Sequence, residues 1–134
     1  MDNEIYSTVD LLSVNLYTGE AELYKIGSAE TIVNCGDEVR AIASQSAPVG
    51  IVSDIHIDCR KMKLREGDTI LMLTDGITES GYSVSHTEWL KKIIIKPFEN
   101  MDELSREVMD AALKKSRGRA KDDMSIIALR LHSV

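Results

Sequence analysis

A chain of 134 residues is long enough for one compact domain and too short for two comfortable ones. Its 43% hydrophobic and 28% charged residues make a globular balance, and a formal net charge of −6 weighs against a nucleic-acid backbone as partner. No apolar run approaches membrane-spanning length, and Met1-Asp2-Asn3-Glu4 lacks the basic start of a secretion signal, which points to a soluble, cytoplasmic domain.

Taken in chain order, Thr8 to Tyr17 alternates, with Leu12, Val14 and Leu16 on one face and Ser13, Asn15 and Tyr17 on the other. Thr18-Gly19-Glu20 reads as a turn and Ala21 to Gly27 as the returning strand of a hairpin. A second hairpin follows the same logic, with Thr31 to Cys35 and Glu38 to Ala43 joined at Gly36-Asp37. After a loop punctuated by Pro48 and Gly50, the alternation resumes through Ile55, Ile57 and Cys59, and less cleanly through Met62 and Leu64. This first part is expected to be a meander of antiparallel strands. Cys35 and Cys59 fit no C-x-x-C pattern and read as reduced thiols.

Thr69 to Leu73 is a short, continuous apolar run suited to a strand buried on both faces. It ends at Thr74-Asp75-Gly76, a carboxylate beside a glycine that permits a sharp turn. Beyond Glu79 the pattern becomes helical. Ser85-His86-Thr87-Glu88 has capping-box spacing ahead of Trp89, Leu90 and Ile93, and Pro97 ends that helix. Asn100 with Glu103 starts a longer helix whose apolar stripe runs through Met101, Leu104, Val108, Ala111 and Ala112. Lys114, Lys115, Arg117 and Arg119 suit its C-terminus and Gly118 its stop. Asp122-Asp123 then heads a last strand, Met124 to Leu131.

Carboxylates at the ends of stiff buried strands are what a hard divalent cation needs, because Mg²⁺ and Mn²⁺ take oxygen ligands and retain several waters. On residue types alone the plainer readings hold at least equal weight. An Asp-Gly after a strand is most often a turn, and Asp122-Asp123 reads equally as a solvated pair opening a strand. His56, His86 and His132 show no ligand spacing, no G-x-S-x-G elbow accompanies Ser7, and the methionines read as core filler.

Leu73-Thr-Asp-Gly-Ile-Thr-Glu79 and Lys121-Asp-Asp-Met-Ser-Ile-Ile127 resemble the last two motifs of metal-dependent protein phosphatases of the 2C type. The Tyr6-Ser-Thr to Gly27-Ser-Ala stretch and the Ala47-Pro-Val-Gly-Ile51 loop are similar in order and spacing to the bacterial branch typified by stage II sporulation protein E. The resemblance implies an α+β fold, an antiparallel β-sandwich with flanking helices. It also implies a binuclear Mn²⁺ or Mg²⁺ centre in the complete domain and a phosphoserine or phosphothreonine protein as substrate. Carried over by position, Asp75 and Asp122 would be the metal ligands and catalytic residues, with Gly76 (through its backbone), Glu79 and Asp123 in supporting positions. Two cations about 3.5–4 Å apart activate a water and clamp the phosphoryl oxygens.

One departure is large. The family's earlier Asp-Gly motif, whose aspartate bridges both metals, has no counterpart here, since Asp10 lies inside an apolar strand and Asp2 in the terminal tail. The resemblance therefore places residues 1–134 as the C-terminal part of one phosphatase domain, either a truncated piece or a natural degenerate relative. The expected function is that of a weak or incomplete serine/threonine phosphatase of bacterial regulatory or sporulation signalling. The alternative is a catalytically inactive binding or assembly module. Either way, uncovered strand edges predict self-association or pairing with the missing N-terminal part.

Overall fold

The computed structural model describes residues 5–80, 87–120 and 122–133. Among these the strands are β1 (Val9–Val14), β2 (Glu20–Ile26), β3 (Thr31–Asn34), β4 (Val39–Ile42), β5 (Asp58–Lys63), β6 (Thr69–Leu73) and β7 (Ile126–Arg130). The helices are α1 (Asp75–Thr78), α2 (Glu88–Ile94) and α3 (Met101–Lys115). Antiparallel sheets with few helices make this an α+β fold, as expected. The chain divides into two compact units, one reaching Ser28 and including Ala43–Leu64, the other comprising Ala29–Ile42 and the residues from Arg65 onward.

The first unit holds an antiparallel sheet in the order β1-β2-β5. Its expected first hairpin is present, but β1 stops at Val14 rather than Tyr17. The Asn15 side chain accepts from the amides of Tyr17 (2.9 Å) and Thr18 (3.2 Å), so Leu16 and Tyr17 sit exposed in the turn. A short polar side chain that bonds the backbone two residues on ends a strand wherever the alternation continues. Gly19 is required there, because a Cβ would lie 2.2 Å from the Leu64 carbonyl oxygen.

Across this sheet Lys25 stands opposite Asp10 on one side and Asp58 on the other. Lys25 is fully buried, and its Nζ donates to both oxygens of Asp10, at 2.9 and 3.0 Å. Asp58 is buried too, and one of its oxygens accepts from the Ser44 hydroxyl (3.0 Å) and the amides of Gln45 (2.6 Å) and Ser46 (3.1 Å). The Gln45 amide leads the interactions that hold this carboxyl below its usual range, against the opposing push of burial. These bonds set the phase of β5 and correct the expected one. Asp58 turns inward, whereas Ile55, Ile57 and Cys59 are exposed. Satisfying a buried carboxylate outweighs the gain from hiding two isoleucines at one end of a strand.

The second unit carries a sheet in the order β4-β3-β6-β7. The simple meander is thus corrected: β3 does not continue from β2, and β5 returns to pair with β2. Alternation marks a strand and its faces but not the sheet it joins. β6 lies between β3 and β7, and Thr69, Ile70, Leu71 and Leu73 are buried, as its apolar run requires. One core joins Ile32, Leu71 and Leu73 with Ile77 of α1, Leu90 and Ile94 of α2, and Leu104, Val108 and Ala112 of α3.

The longest helix has the expected start. The Asn100 side chain accepts from the Glu103 amide at 3.0 Å, while the Glu103 carboxylate reaches back to the amide of Glu99 at 3.2 Å. The capping box at Ser85 lies outside the described residues, and α2 begins after Thr87 with no side-chain cap. At the end of α3, the amides of Gly118 and Arg117 donate to the carbonyls of Leu113 (2.7 Å) and Lys114 (3.1 Å). This paired closure demands a left-handed residue at the first position past the cap, and that residue is Arg117 (φ 56°), one place before the predicted glycine stop. Arg117→Gly is expected to stabilise the chain by about 0.5–1 kcal/mol, because a side chain there is strained. Thermal unfolding would show it as a rise of about 2–4 °C, and an unchanged or lower midpoint would contradict the assignment.

Candidate functional site

The run Thr74-Asp75-Gly76 is fastened to the segment before β7 by a reciprocal set of hydrogen bonds. The Thr74 hydroxyl donates to the Asp123 carbonyl (3.1 Å) and accepts from the Ser125 amide (2.9 Å). The Thr74 amide donates to the Ser125 carbonyl (3.2 Å), extending the β6–β7 ladder by one step. Next to it the Asp122-Asp123 backbone passes so close to Gly76 that a Cβ would meet the Asp123 carbonyl oxygen at 2.2 Å. The expected sharp turn is instead a single helical turn, α1, and Gly76 is needed for close approach rather than for an unusual φ.

This contact brings Asp75 and Asp122 into one electrostatic field. Asp75 is half-buried, and its carboxyl is pushed above the usual range by burial first, then by the negative charge of Asp122, then by that of Glu30. Asp122 is exposed, and one of its oxygens accepts from the Asp123 amide at 2.8 Å. Glu79 and Asp123 are also exposed, and neither is among the charges acting on Asp75. Glu79 caps α1 with its backbone, its amide donating to the Asp75 carbonyl at 2.8 Å. Of the five candidate residues, Gly76 lies against the Asp122–Asp123 backbone, Asp75 feels the charge of Asp122, and Glu79 meets Asp75 through its backbone amide.

Glu30 lies outside the motifs. It directly precedes β3, and extending the β3–β6 register by two residues puts it level with Leu73, two places before Asp75. Its signal is the one that marked Asp122, an acidic residue just ahead of a short apolar strand. Among the described residues, no three His, Cys, Asp or Glu side chains are grouped tightly enough to hold a metal by themselves. The donors nevertheless suit a hard cation in kind. They are carboxylate oxygens with unrelieved negative charge, and Mg²⁺-type ions are often held by one or two carboxylates and several waters.

Comparison with known proteins bears on the fold and the family. The structure of the phosphatase domain of the cell fate determinant SpoIIE from Bacillus subtilis, presoaked with Mn, superposes with a TM-score of 0.82 at 25% identity, covering 98% of this chain and 60% of that one. PppA, a key regulatory component of T6SS in Pseudomonas aeruginosa, shares the fold at a TM-score of 0.69 and 16% identity, covering 92% of this chain and 56% of that one. The fold is therefore that of the bacterial 2C-type phosphatase domains. The family model of Stage II sporulation protein E matches residues 1–132, and the chain belongs to that family. Stage II sporulation protein E of Bacillus subtilis (strain 168) is 29% identical over 132 residues, which cover 96% of this chain and 16% of that protein. The Priestia megaterium protein is 28% identical over 132 residues, covering 97% of this chain and 23% of that protein. The chain thus spans less than a quarter of the length of these curated relatives. No helix among the described residues is long and apolar enough to cross a membrane.

The raised Asp75 carboxyl has a pH signature. A group whose folded pKa exceeds its unfolded value of 3.8 gives stability that is present below that value and lost as pH rises through the folded pKa. Asp75→Asn is therefore expected to melt higher than wild type at pH 7 without metal, with the gap closing as the pH falls below 3.8. Thermal melts across that range check it, and a variant less stable than wild type at pH 7 would show that Asp75 is not opposed by its neighbours.

Proposed function

We propose that this chain is the C-terminal part of a metal-dependent serine/threonine protein phosphatase domain, acting on phosphoserine or phosphothreonine of a protein in bacterial regulatory or sporulation signalling. The observation that carries the reading is the clamp of Thr74 and Gly76 on Asp122–Ser125, which sets two carboxylates from distant sequence positions in one field. Family membership over residues 1–132 and the phosphatase-domain fold support it. Asp75 and Asp122 would hold Mn²⁺ or Mg²⁺, with the backbone of Gly76 and the carboxylates of Glu79 and Asp123 as lesser contributors. A bound divalent cation would supply charge neutralisation at the phosphoryl oxygens and an activated water. The chain's own residues position that chemistry: Thr74 ties the end of β6 to the Asp123–Ser125 backbone, and Gly76 lets the Asp122 segment approach. The domain is read as cytoplasmic, whatever segments a longer parent carries.

With no counterpart to the bridging aspartate, the chain alone is expected to give weak Mn²⁺-dependent hydrolysis of p-nitrophenyl phosphate. Asp75→Asn and Asp122→Asn should each abolish that turnover. Turnover that survives both substitutions would remove these residues from the site. No turnover in any form would move the weight to the second reading, an assembly module of the same fold.

That second reading rests on exposed apolar side chains in the first unit. Val9 and Leu11 lie on the edge strand β1, and Ile55 and Ile57 precede β5 at the other edge. Open edges with apolar neighbours favour strand addition, by another copy or by the rest of the domain. Light scattering is expected to show oligomers that grow with concentration, and a monomer throughout would count against it.

A further inference from the structure

At the end of β6 remote from Asp75, the second unit contains an open cavity of about 350 Å³. Its floor is a polar row across three strands, since Asn34 stands opposite Thr69, and Thr69 opposite Arg130. Alternation puts this row on the face that carries Ile32, Leu71 and Ala128, so it extends the helix-covered core face with hydrogen-bonding groups. Ile94 and Leu104 supply an apolar wall, and the segment between α2 and α3 closes over it with Pro97 and Phe98. Lys96 also lines the cavity.

Charge distinguishes this cavity. The whole chain carries a formal net charge of −6, yet the lining includes Lys96 and Arg130 and no Asp or Glu. Lys96 is engaged by the Glu107 carboxylate. Arg130 donates only to main-chain carbonyls, those of Phe98 at 2.9 Å and Glu99 at 3.4 Å, and has no carboxylate partner among the described residues. A guanidinium has five N–H donors in a fixed fork, so more remain than these carbonyls use. Asn34 is held in place by its side-chain amide, which donates to the Ile94 carbonyl at 3.2 Å.

We propose that this cavity binds a small organic monoanion, a carboxylate on an aliphatic or aromatic body. Arg130 holds the carboxylate, Thr69 completes its hydrogen bonding by turning its hydroxyl from the Gly67 carbonyl, to which it donates at a long 3.4 Å, and the body lies against Ile94, Phe98 and Leu104. The chemistry follows from the lining, because an uncompensated fork of donors matches a carboxylate and the apolar wall rewards a carbon skeleton. A cavity of this size lies at the small end of ligand sites, which suits a ligand of a few carbons or one terminal side chain.

The test is a titration of the ¹⁵N-labelled 134-residue chain with phenylacetate and with hexanoate, followed by amide shifts. Phenylacetamide serves as the neutral match and inorganic phosphate as the anion without an apolar body. Saturable shifts at Asn34, Thr69 and Phe98 are expected with either carboxylate and not with the amide or phosphate. Arg130→Lys should weaken binding at least about tenfold, since the charge stays but the fork is lost. Lys96→Gln should change it little, because that ammonium is already engaged. Arg130 also pins the segment before α3, so Thr69→Val, which leaves those bonds intact, provides the second variant and should weaken binding severalfold. Equal shifts with phenylacetamide, no saturation, or unchanged affinity in the folded Arg130→Lys and Thr69→Val variants would overturn the proposal. Short peptides ending in Phe, with free or amidated C-termini, then separate the two sources of the carboxylate. Preference for the free-acid peptide over phenylacetate assigns it to a chain terminus, and the reverse preference assigns it to a small molecule.

Discussion

The exchange of hydrogen bonds between Thr74 and the Asp123–Ser125 backbone is the constraint on which the second unit's chemistry depends. A threonine hydroxyl can donate and accept at once, and here it does both with the same strand entrance. Together with the β6–β7 ladder it keeps the two acidic segments, 47 residues apart, side by side against the repulsion of their carboxylates. Gly76 completes the contact by presenting bare backbone where any side chain would collide with the Asp123 carbonyl. Backbone contacts therefore hold in place charges that would otherwise separate. Such an arrangement costs stability in the free chain, and perturbed carboxylates of this kind concentrate where a protein binds or reacts.

The first unit relies on buried charge in a different way. Lys25 is fully buried between Asp10 and Asp58 across the sheet, and Asp58 gathers the Ser44–Ser46 loop. A buried ion pair contributes little net stability, because desolvation costs several kcal/mol per ion, about as much as the attraction returns. Its effect falls on register instead. A one-residue slip of β2 would turn Lys25 outward, bury a neighbour in its place, and strip Asp58 of its position beside the loop. The polar row on the second unit's sheet, Asn34-Thr69-Arg130, has the same economy of placement, with each residue directly opposite the next.

Much of the secondary structure could be read from residue order alone, because it depends on local chemistry. The apolar run Thr69–Leu73, the Asn100–Glu103 start of α3 and the stripe through Leu104, Val108 and Ala112 are each decided by neighbours within a few residues. The motifs around Asp75 and Asp122 were equally visible, since residue types and spacing carry them. Where a local pattern conflicts with a distant partner, the partner decides. Ile55 and Ile57 looked inward-facing because their alternation is apolar, but Asp58 has three hydrogen-bond partners inside and the isoleucines have none to lose.

Sequence by itself determined the strands, the start of the longest helix, the acidic strand ends and the family to which they belong, since propensity, capping and motif spacing act over short range. Only the tertiary structure decided that the strands divide between two sheets, that Asp75 enters a one-turn helix, that Glu30 joins the field around it, and that Arg130 lines a cavity with no carboxylate partner among the described residues. Each of these depends on which segments meet across tens of residues, and that is set by packing and by the pairing of buried polar groups rather than by any local pattern.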